Sequence, residues 1–162
     1  MTTPLVGILM GSSSDWETMI EAKKALDEFS IPCEARVLSA HRTPDEAMEY
    51  SATAASRGLK VIIAGAGAAA HLAGVIAAKT TLPVIGVPCA TTPLCGFDAL
   101  LAIVQMPKGT PVATVAVGKP GAGNAGYLAV QILALSDPSL TKALEARKKR
   151  VREELLATKL PG

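Results

Sequence analysis

Short apolar runs alternate with helix-compatible stretches five times along this chain, and that rhythm leaves few architectures open. The apolar runs Leu5–Met10, Lys60–Ala64, Pro83–Val87 and Val112–Val117, together with Pro32–Leu38, read as strands. Between them, Trp16–Phe29, Pro44 to about Arg57, about Ala69–Lys79, Asp98–Gln105 and Asn124–Leu135 read as helices. Trp16, Met19, Ile20, Ala25 and Leu26 fall on one face of the first helix, as helical periodicity requires. Gly58 is placed to end the second helix, and Gly118–Gly123 reads as a flexible loop. Asp137-Pro138 breaks the fifth helix, and Ser139 is a candidate cap for a last one reaching about Thr158.

Buried strands that alternate with helices imply a parallel sheet covered on both faces. The Val61-Ile-Ile63 run, apolar at every position, suits such a sheet. Right-handed crossovers then favour a three-layer, flavodoxin-like, doubly wound α/β fold. The expected strand order is 2-1-3-4-5, with an extra C-terminal helix. One domain is expected over residues 1–162, with its core in 4–135 and the last helix at about 139–158. A length of 162 residues suits the usual domain of roughly 100–200 residues. Ligands of such sheets bind beyond the carboxyl ends of the strands, where the winding reverses. Here that point lies between strands 1 and 3, so the loops after strands 1, 2 and 3 should converge.

Composition removes several function classes. Apolar residues make up 49% and charged residues 19%, which excludes a disordered chain. The net charge of +2 argues against a general nucleic-acid binder. Seven basic residues on the last helix (Lys142, Arg147, Lys148, Lys149, Arg150, Arg152 and Lys159) are interleaved with Glu145, Glu153 and Glu154. They read as a solvated face. No apolar run reaches the ~18 residues of a membrane span, and the start lacks a basic n-region. Three cysteines, Cys33, Cys89 and Cys95, offer no disulfide framework, so a cytoplasmic location is expected. Two distant histidines offer no zinc spacing. From Val61 to Leu135 the only charges are Lys79, Asp98, Lys108 and Lys119. So uncharged a surface predicts a homo-oligomer.

The three converging loops carry the chemistry. Gly11-Ser-Ser-Ser-Asp15 opens a helix, where backbone N–H groups and hydroxyls suit a phosphate. Asp15 suits a ribose hydroxyl better than a phosphate, and ordinary capping by Ser14 or Asp15 is the competing reading. The second loop, Ser39-Ala-His41-Arg42-Thr43-Pro44, sets a proton carrier beside a phosphate fork. The third, Gly65-Ala-Gly67-Ala-Ala-Ala-His71-Leu72, lets a ligand approach the backbone closely. By itself His71 reads as a satisfied interior histidine in the first turn of an apolar helix.

Several familiar motifs fail their structural tests. Gly65-x-Gly67 follows the third strand, with no acid between Glu49 and Asp98 to hold a ribose. Gly121-Ala-Gly-Asn-Ala-Gly126 is followed only by helix, so no βαβ unit can close. Gly118-Lys119 runs into Pro120 and is no phosphate loop, and no Gly-x-Ser-x-Gly elbow exists. Cys89 and Cys95 have no basic neighbour in sequence to depress a thiol pKa. Asp98 is explained by its place in the first turn of a helix. The residues thus amount to a phosphate site, a ribose-binding acid, one mobile proton carrier and glycine backbone. That suits acid–base chemistry on a phosphoribosyl compound.

From about Val6 to Leu135 the chain resembles the N5-carboxyaminoimidazole ribonucleotide mutase family, the class I form of phosphoribosylaminoimidazole carboxylase. The signatures are MGSSSDW (10–16), SAHRTP (39–44), AGAGAAAHLAG (64–74), GFDALLAIVQMPKGTPVAT (96–114) and NAGYLAVQIL (124–133). Family members often read GGAAHLPG where this chain has Ala68 and Ala73, and the segment Cys89–Cys95 departs from the usual small-polar loop. The resemblance implies conversion of N5-carboxyaminoimidazole ribonucleotide to 4-carboxyaminoimidazole ribonucleotide in purine synthesis, through trapped carbon dioxide. It implies His41 as the catalytic proton carrier and Ser12, Asp15 and Arg42 as substrate-binding residues. Ser14, Ser39, Gly67 and His71 would line the carboxylate and ring pocket. It implies a homo-octamer, no cofactor and no metal, with neither nucleic acid nor membrane as partner. Transient contact with the enzyme that makes the unstable substrate belongs to the same expectation.

Two other functions compete. A class II carboxylase would take aminoimidazole ribonucleotide and carbon dioxide directly; such enzymes resemble this chain less in the third loop. A flavodoxin-like nucleotide-binding module rests on the fold alone, and aromatics at 3% leave few rings to stack on a flavin.

Overall fold

A computed structural model describes residues 3–160 of the chain. Five parallel strands form one sheet in the order β2-β1-β3-β4-β5, as the alternation predicts. They are β1 (Val6–Met10), β2 (Cys33–Val37), β3 (Val61–Gly67), β4 (Val84–Cys89) and β5 (Ala113–Thr114). The helices are α1 (Trp16–Glu28), α2 (Pro44–Thr53), α3 (Leu72–Ala77), α4 (Phe97–Val104), α5 (Lys119–Ala134) and α6 (Pro138–Ala157).

Successive side chains of a strand point to opposite faces, and both faces here are covered. Val6, Ile8, Met10, Ile63 and Ile85 pack with Met19, Leu26 and Val130 of α1 and α5. Leu9, Ile62 and Val84 pack on the other face with Ala47, Leu72, Ile76 and Ile103 of α2, α3 and α4. Helix α6 lies outside these three layers, with Leu140 and Leu144 against the first cluster. It is pinned to the end of α1, where Glu28 accepts hydrogen bonds from Tyr127, Arg147 and Arg150. Two of the seven basic residues read as a solvated face therefore hold the last helix in place.

Several boundaries differ from the sequence reading. Helix α5 begins at Lys119, so residues 118–123 are not a flexible loop. Proline is tolerated at a helix's first positions, which accommodates Pro120. Small residues then let α5 press on α1: a Cβ on Gly126 would stand 2.6 Å from the Ala22 carbonyl oxygen. Within the glycine repeat 121–126, Gly126 thus serves helix packing, while Gly121 makes room for the Ala116 carbonyl. Asp137, and not Ser139, caps α6 by accepting the Ser139 N–H at 2.9 Å. Helix α3 is shorter than expected, and β5 is only two residues long. Helix α2 stops at Thr53, and hydrogen-bonded turns carry the chain on to Gly58.

Candidate active site

Beyond the carboxyl ends of β1 to β4 lies a cavity of about 320 Å³. Its walls come from four loops. The first supplies Gly11, Ser12, Ser14 and Asp15, and the second Ser39, Ala40, His41 and Arg42. The third supplies Ala66, Gly67, Ala69 and Leu72, and the fourth supplies Thr91. Of the residues expected at the site, all but His71 line the cavity directly.

The first loop is held by a reciprocal cap. The Ser12 side chain accepts from the Ser14 N–H, while Asp15 Oδ2 accepts from the Ser12 N–H at 3.0 Å. Ser12 is therefore the cap of a short 3₁₀ turn, Ser13–Asp15, a role expected of Ser14 or Asp15. This is the capping-box arrangement, with aspartate in place of the usual Glu or Gln. Asp15 is only 5% exposed. Burial pushes its carboxyl above the usual aspartate range, opposed by the Ser12 N–H and the positive charge of Arg42. Its second oxygen remains for a ligand hydroxyl. The Ser14 hydroxyl bonds that of Ser12 at 2.9 Å, which sets two hydroxyls side by side on this wall.

The second loop folds around the buried Ser39. Its hydroxyl accepts the backbone N–H groups of His41 and Arg42 at 3.3 and 3.2 Å. Ser39 N–H in turn donates to the Thr43 hydroxyl at 2.8 Å. Ser39 is thus the fold of the loop as much as a wall of the cavity. Arg42 reaches across to donate to the Gly11 carbonyl, tying the second loop to the first. Its Nε also donates to the Ser39 hydroxyl at 3.4 Å, and the guanidinium keeps its remaining N–H groups for a phosphate.

The third loop brings in His71, whose Nδ1 stands 2.9 Å from Nε2 of His41. The rings meet edge to face with centroids 4.9 Å apart. His71 occupies the cap position of α3, just outside the first turn where the sequence placed it. It is not a solitary interior histidine, because its partner is the expected proton carrier. Gly67 must lack a side chain: a Cβ there would stand 1.9 Å from the Thr91 hydroxyl oxygen.

The sequence reading missed Thr91, Gly11, Ala40, Ala66, Ala69 and Leu72. Five of these sit inside loops it had singled out. Thr91 lies in the Cys89–Cys95 segment, noted only as a departure from the family pattern, although it stands just beyond the carboxyl end of β4, a position that signals a ligand-facing residue in this fold. Cys89, beneath the cavity, is no nucleophile: burial, with the negative charge of Asp15 beside it, pushes its thiol up to about 12. Among the described residues no group of three His, Cys, Asp or Glu side chains gathers as a metal site.

Comparison with known proteins agrees with this geometry. Residues 5–154 match the family described as AIR carboxylase. The chain is 60% identical over 153 residues to the N5-carboxyaminoimidazole ribonucleotide mutase of Bacillus subtilis, covering 94% of each chain. It is 56% identical over 154 residues to the Mycobacterium tuberculosis protein of the same name, covering 95% of this chain and 87% of that one. Among solved structures, Treponema denticola PurE superposes with a TM-score of 0.82 at 28% identity, covering 94% of both chains. With a family match over nearly the whole chain, this protein belongs to the AIR carboxylase family and is an enzyme.

Proposed function

We propose that this enzyme is an N5-carboxyaminoimidazole ribonucleotide mutase of purine biosynthesis, with His41 as its proton carrier. The relatives at 56–60% identity that bear this name support the activity. The observation that carries the assignment of roles is the His41–His71 pair, whose His41 lines the same cavity as Ser12, Ser14, Asp15 and Arg42. In this reading Arg42 and the two serine hydroxyls take the phosphate. Asp15 accepts a ribose hydroxyl. Gly67 lines the ring pocket beside the Thr91 hydroxyl, and Ser39 holds the loop that carries His41. His71 orients the His41 ring through their shared hydrogen bond.

The chemistry asks for one proton in each direction. The carboxyl group leaves nitrogen as carbon dioxide while that nitrogen gains a proton. Carbon dioxide then bonds to the ring carbon, which gives up its own proton. A single histidine can serve both steps, as acid and then as base. Atoms and charges balance with no electron transfer and no added group. Closure of the cavity to water around the bound ribonucleotide would keep the free carbon dioxide beside the ring.

The same reading makes the protein a cytoplasmic homo-octamer that receives its labile substrate from the enzyme that makes it. Leu94, Phe97, Leu101 and Val104 stand 44–63% exposed along one face of α4 and its lead-in loop, which supports assembly. No described helix is long and apolar enough to cross a membrane.

Substrate labelled at the carboxyl group, in excess unlabelled bicarbonate, tests the reaction. Label retained in the product is the expected result. Diluted label, with product that depends on bicarbonate, would establish direct carboxylation instead, the reading that the family's own description favours. An absence of product would remove both.

A further inference from the structure

Two kinds of residue line the cavity. Ser12, Ser14, Asp15 and Arg42 bring polar or charged side chains, whereas Ala66, Gly67, Ala69 and Leu72 bring none. Thr91 is the one residue that the fourth loop contributes, and its hydroxyl stands against Gly67.

Its hydroxyl is free to serve a ligand. The neighbouring Thr92 spends its own on Asp98 Oδ2 at 2.8 Å and on the Leu94 N–H at 3.2 Å. Among the described residues the Thr91 hydroxyl forms no such bond. It is nonetheless held in place, because its oxygen fits the space that Gly67 leaves by lacking a Cβ. The loop beneath it is closed on itself. The Cys95 N–H donates to the Thr92 carbonyl at 3.0 Å, and a Cβ on Gly96 would lie 3.3 Å from the Ala90 Cα. An internally bonded loop presents its side chain with little reorganisation, which is what an orienting donor requires.

A migrating carboxyl group needs such a donor. As carbon dioxide it is held only by its surroundings, and as it bonds to the ring carbon its oxygens gain negative charge. Resting on the mutase reading above, we propose that Thr91 orients the migrating carboxyl group by donating its hydroxyl hydrogen to a carboxyl oxygen beside Gly67. Thr91 gives no proton away. It acts by direction, while His41 moves the proton.

Two substitutions in the full chain test this. Thr91→Val keeps the shape and removes the hydroxyl; Thr91→Ser keeps the hydroxyl. Thr91 is exposed, so neither disturbs the core. Turnover of the carboxyl-labelled substrate is followed together with the fraction lost as free carbon dioxide and decarboxylated ribonucleotide. The expected result for Thr91→Val is a kcat about 10- to 100-fold lower, the worth of one hydrogen bond to a charged group. Its KM should change little and its leak of carbon dioxide should rise, while Thr91→Ser stays near the parent in both. A Thr91→Val enzyme with parental kcat and leak would overturn the inference alone. So would a Thr91→Ser enzyme as impaired as Thr91→Val. A parent chain that does not isomerise the substrate overturns the mutase reading and this inference with it.

Discussion

Nε2 of His41 and Nδ1 of His71 share a hydrogen bond of 2.9 Å across 30 residues of sequence. One ring must donate and the other accept. The bond therefore couples the tautomers of the two rings, and it fixes the plane of the His41 ring. A histidine in a loop would otherwise sample several rotamers. Here it is held from its backbone by Ser39 and from its ring by His71.

The His41→Asn enzyme should lose turnover by about 10²- to 10⁴-fold, the usual contribution of general acid–base catalysis. Ligand affinity, measured by calorimetry, should stay within a few-fold of the parent. The His71→Ala enzyme should show a smaller fall in kcat at similar affinity, because orientation is lost and the proton carrier is kept. Loss of binding in His41→Asn, with unchanged chemistry per complex, would contradict this division of roles.

Arg42→Lys should raise KM far more than it lowers kcat. A lysine keeps the charge but cannot bond the Gly11 carbonyl and fork onto a phosphate together. The expected increase is about tenfold or more, from a lost charge-assisted bond. Inorganic phosphate should inhibit the parent competitively and the variant more weakly, which steady-state kinetics at several phosphate concentrations can read.

Ala68 has a φ of +52°, in the left-handed region where a Cβ is strained. Ala68→Gly should therefore stabilise the fold. Relief of the strain is worth about 1–2 kcal/mol, and the greater freedom of glycine in the unfolded chain takes back about 0.4–1 kcal/mol. A net gain of roughly 0.5–1 kcal/mol should raise Tm by a few degrees at this chain length. Thermal unfolding followed by circular dichroism checks it, and an unchanged or lower Tm would show that the loop carries no strain.

Helix α6 should loosen in acid. Glu28 is pulled up by burial, but the hydrogen bonds from Tyr127, Arg150 and Arg147 outweigh this and leave its pKa below the ordinary glutamate value. The unfolded chain therefore takes up this proton more readily than the folded one. The stabilisation is complete above the ordinary range near about 4.3 and is lost as pH falls through the lower folded value. Asp15 has the opposite sign: its raised pKa makes ionisation oppose folding as pH climbs through the aspartate range. Glu28→Gln should cost about 1 kcal/mol at neutral pH, given partly exposed partners. It should also flatten the loss below pH ~4.5. Denaturant titrations of both proteins across pH 3–7 would show whether the two curves converge, as expected, at the acid end.

The sheet order was legible because it depends on local signals. Buried apolar runs mark β1, β3 and β4, while the edge strand β2 is half exposed and carries Glu34 and Arg36; the spacing of strands by helices leaves few windings. The loops that build the site were legible for the same reason: the winding places their carboxyl ends together, and they carry Ser12, Asp15, His41 and Arg42. The capping of each turn was not, since Ser12 prevails over Ser14 and Asp15 only once backbone angles place its oxygen near N–H groups. Nor was the start of α5 at Lys119, because glycine propensity argues against a helix there and close packing on α1 overrides it. Pairing of His41 with His71, and of Gly67 with Thr91, belongs wholly to the tertiary structure. Each joins loops from different strands, and the parallel register of the sheet decides how far each loop stands from the next. Residue types and their order along the chain set what chemistry was available; distances between loops, which no local periodicity encodes, set which groups meet.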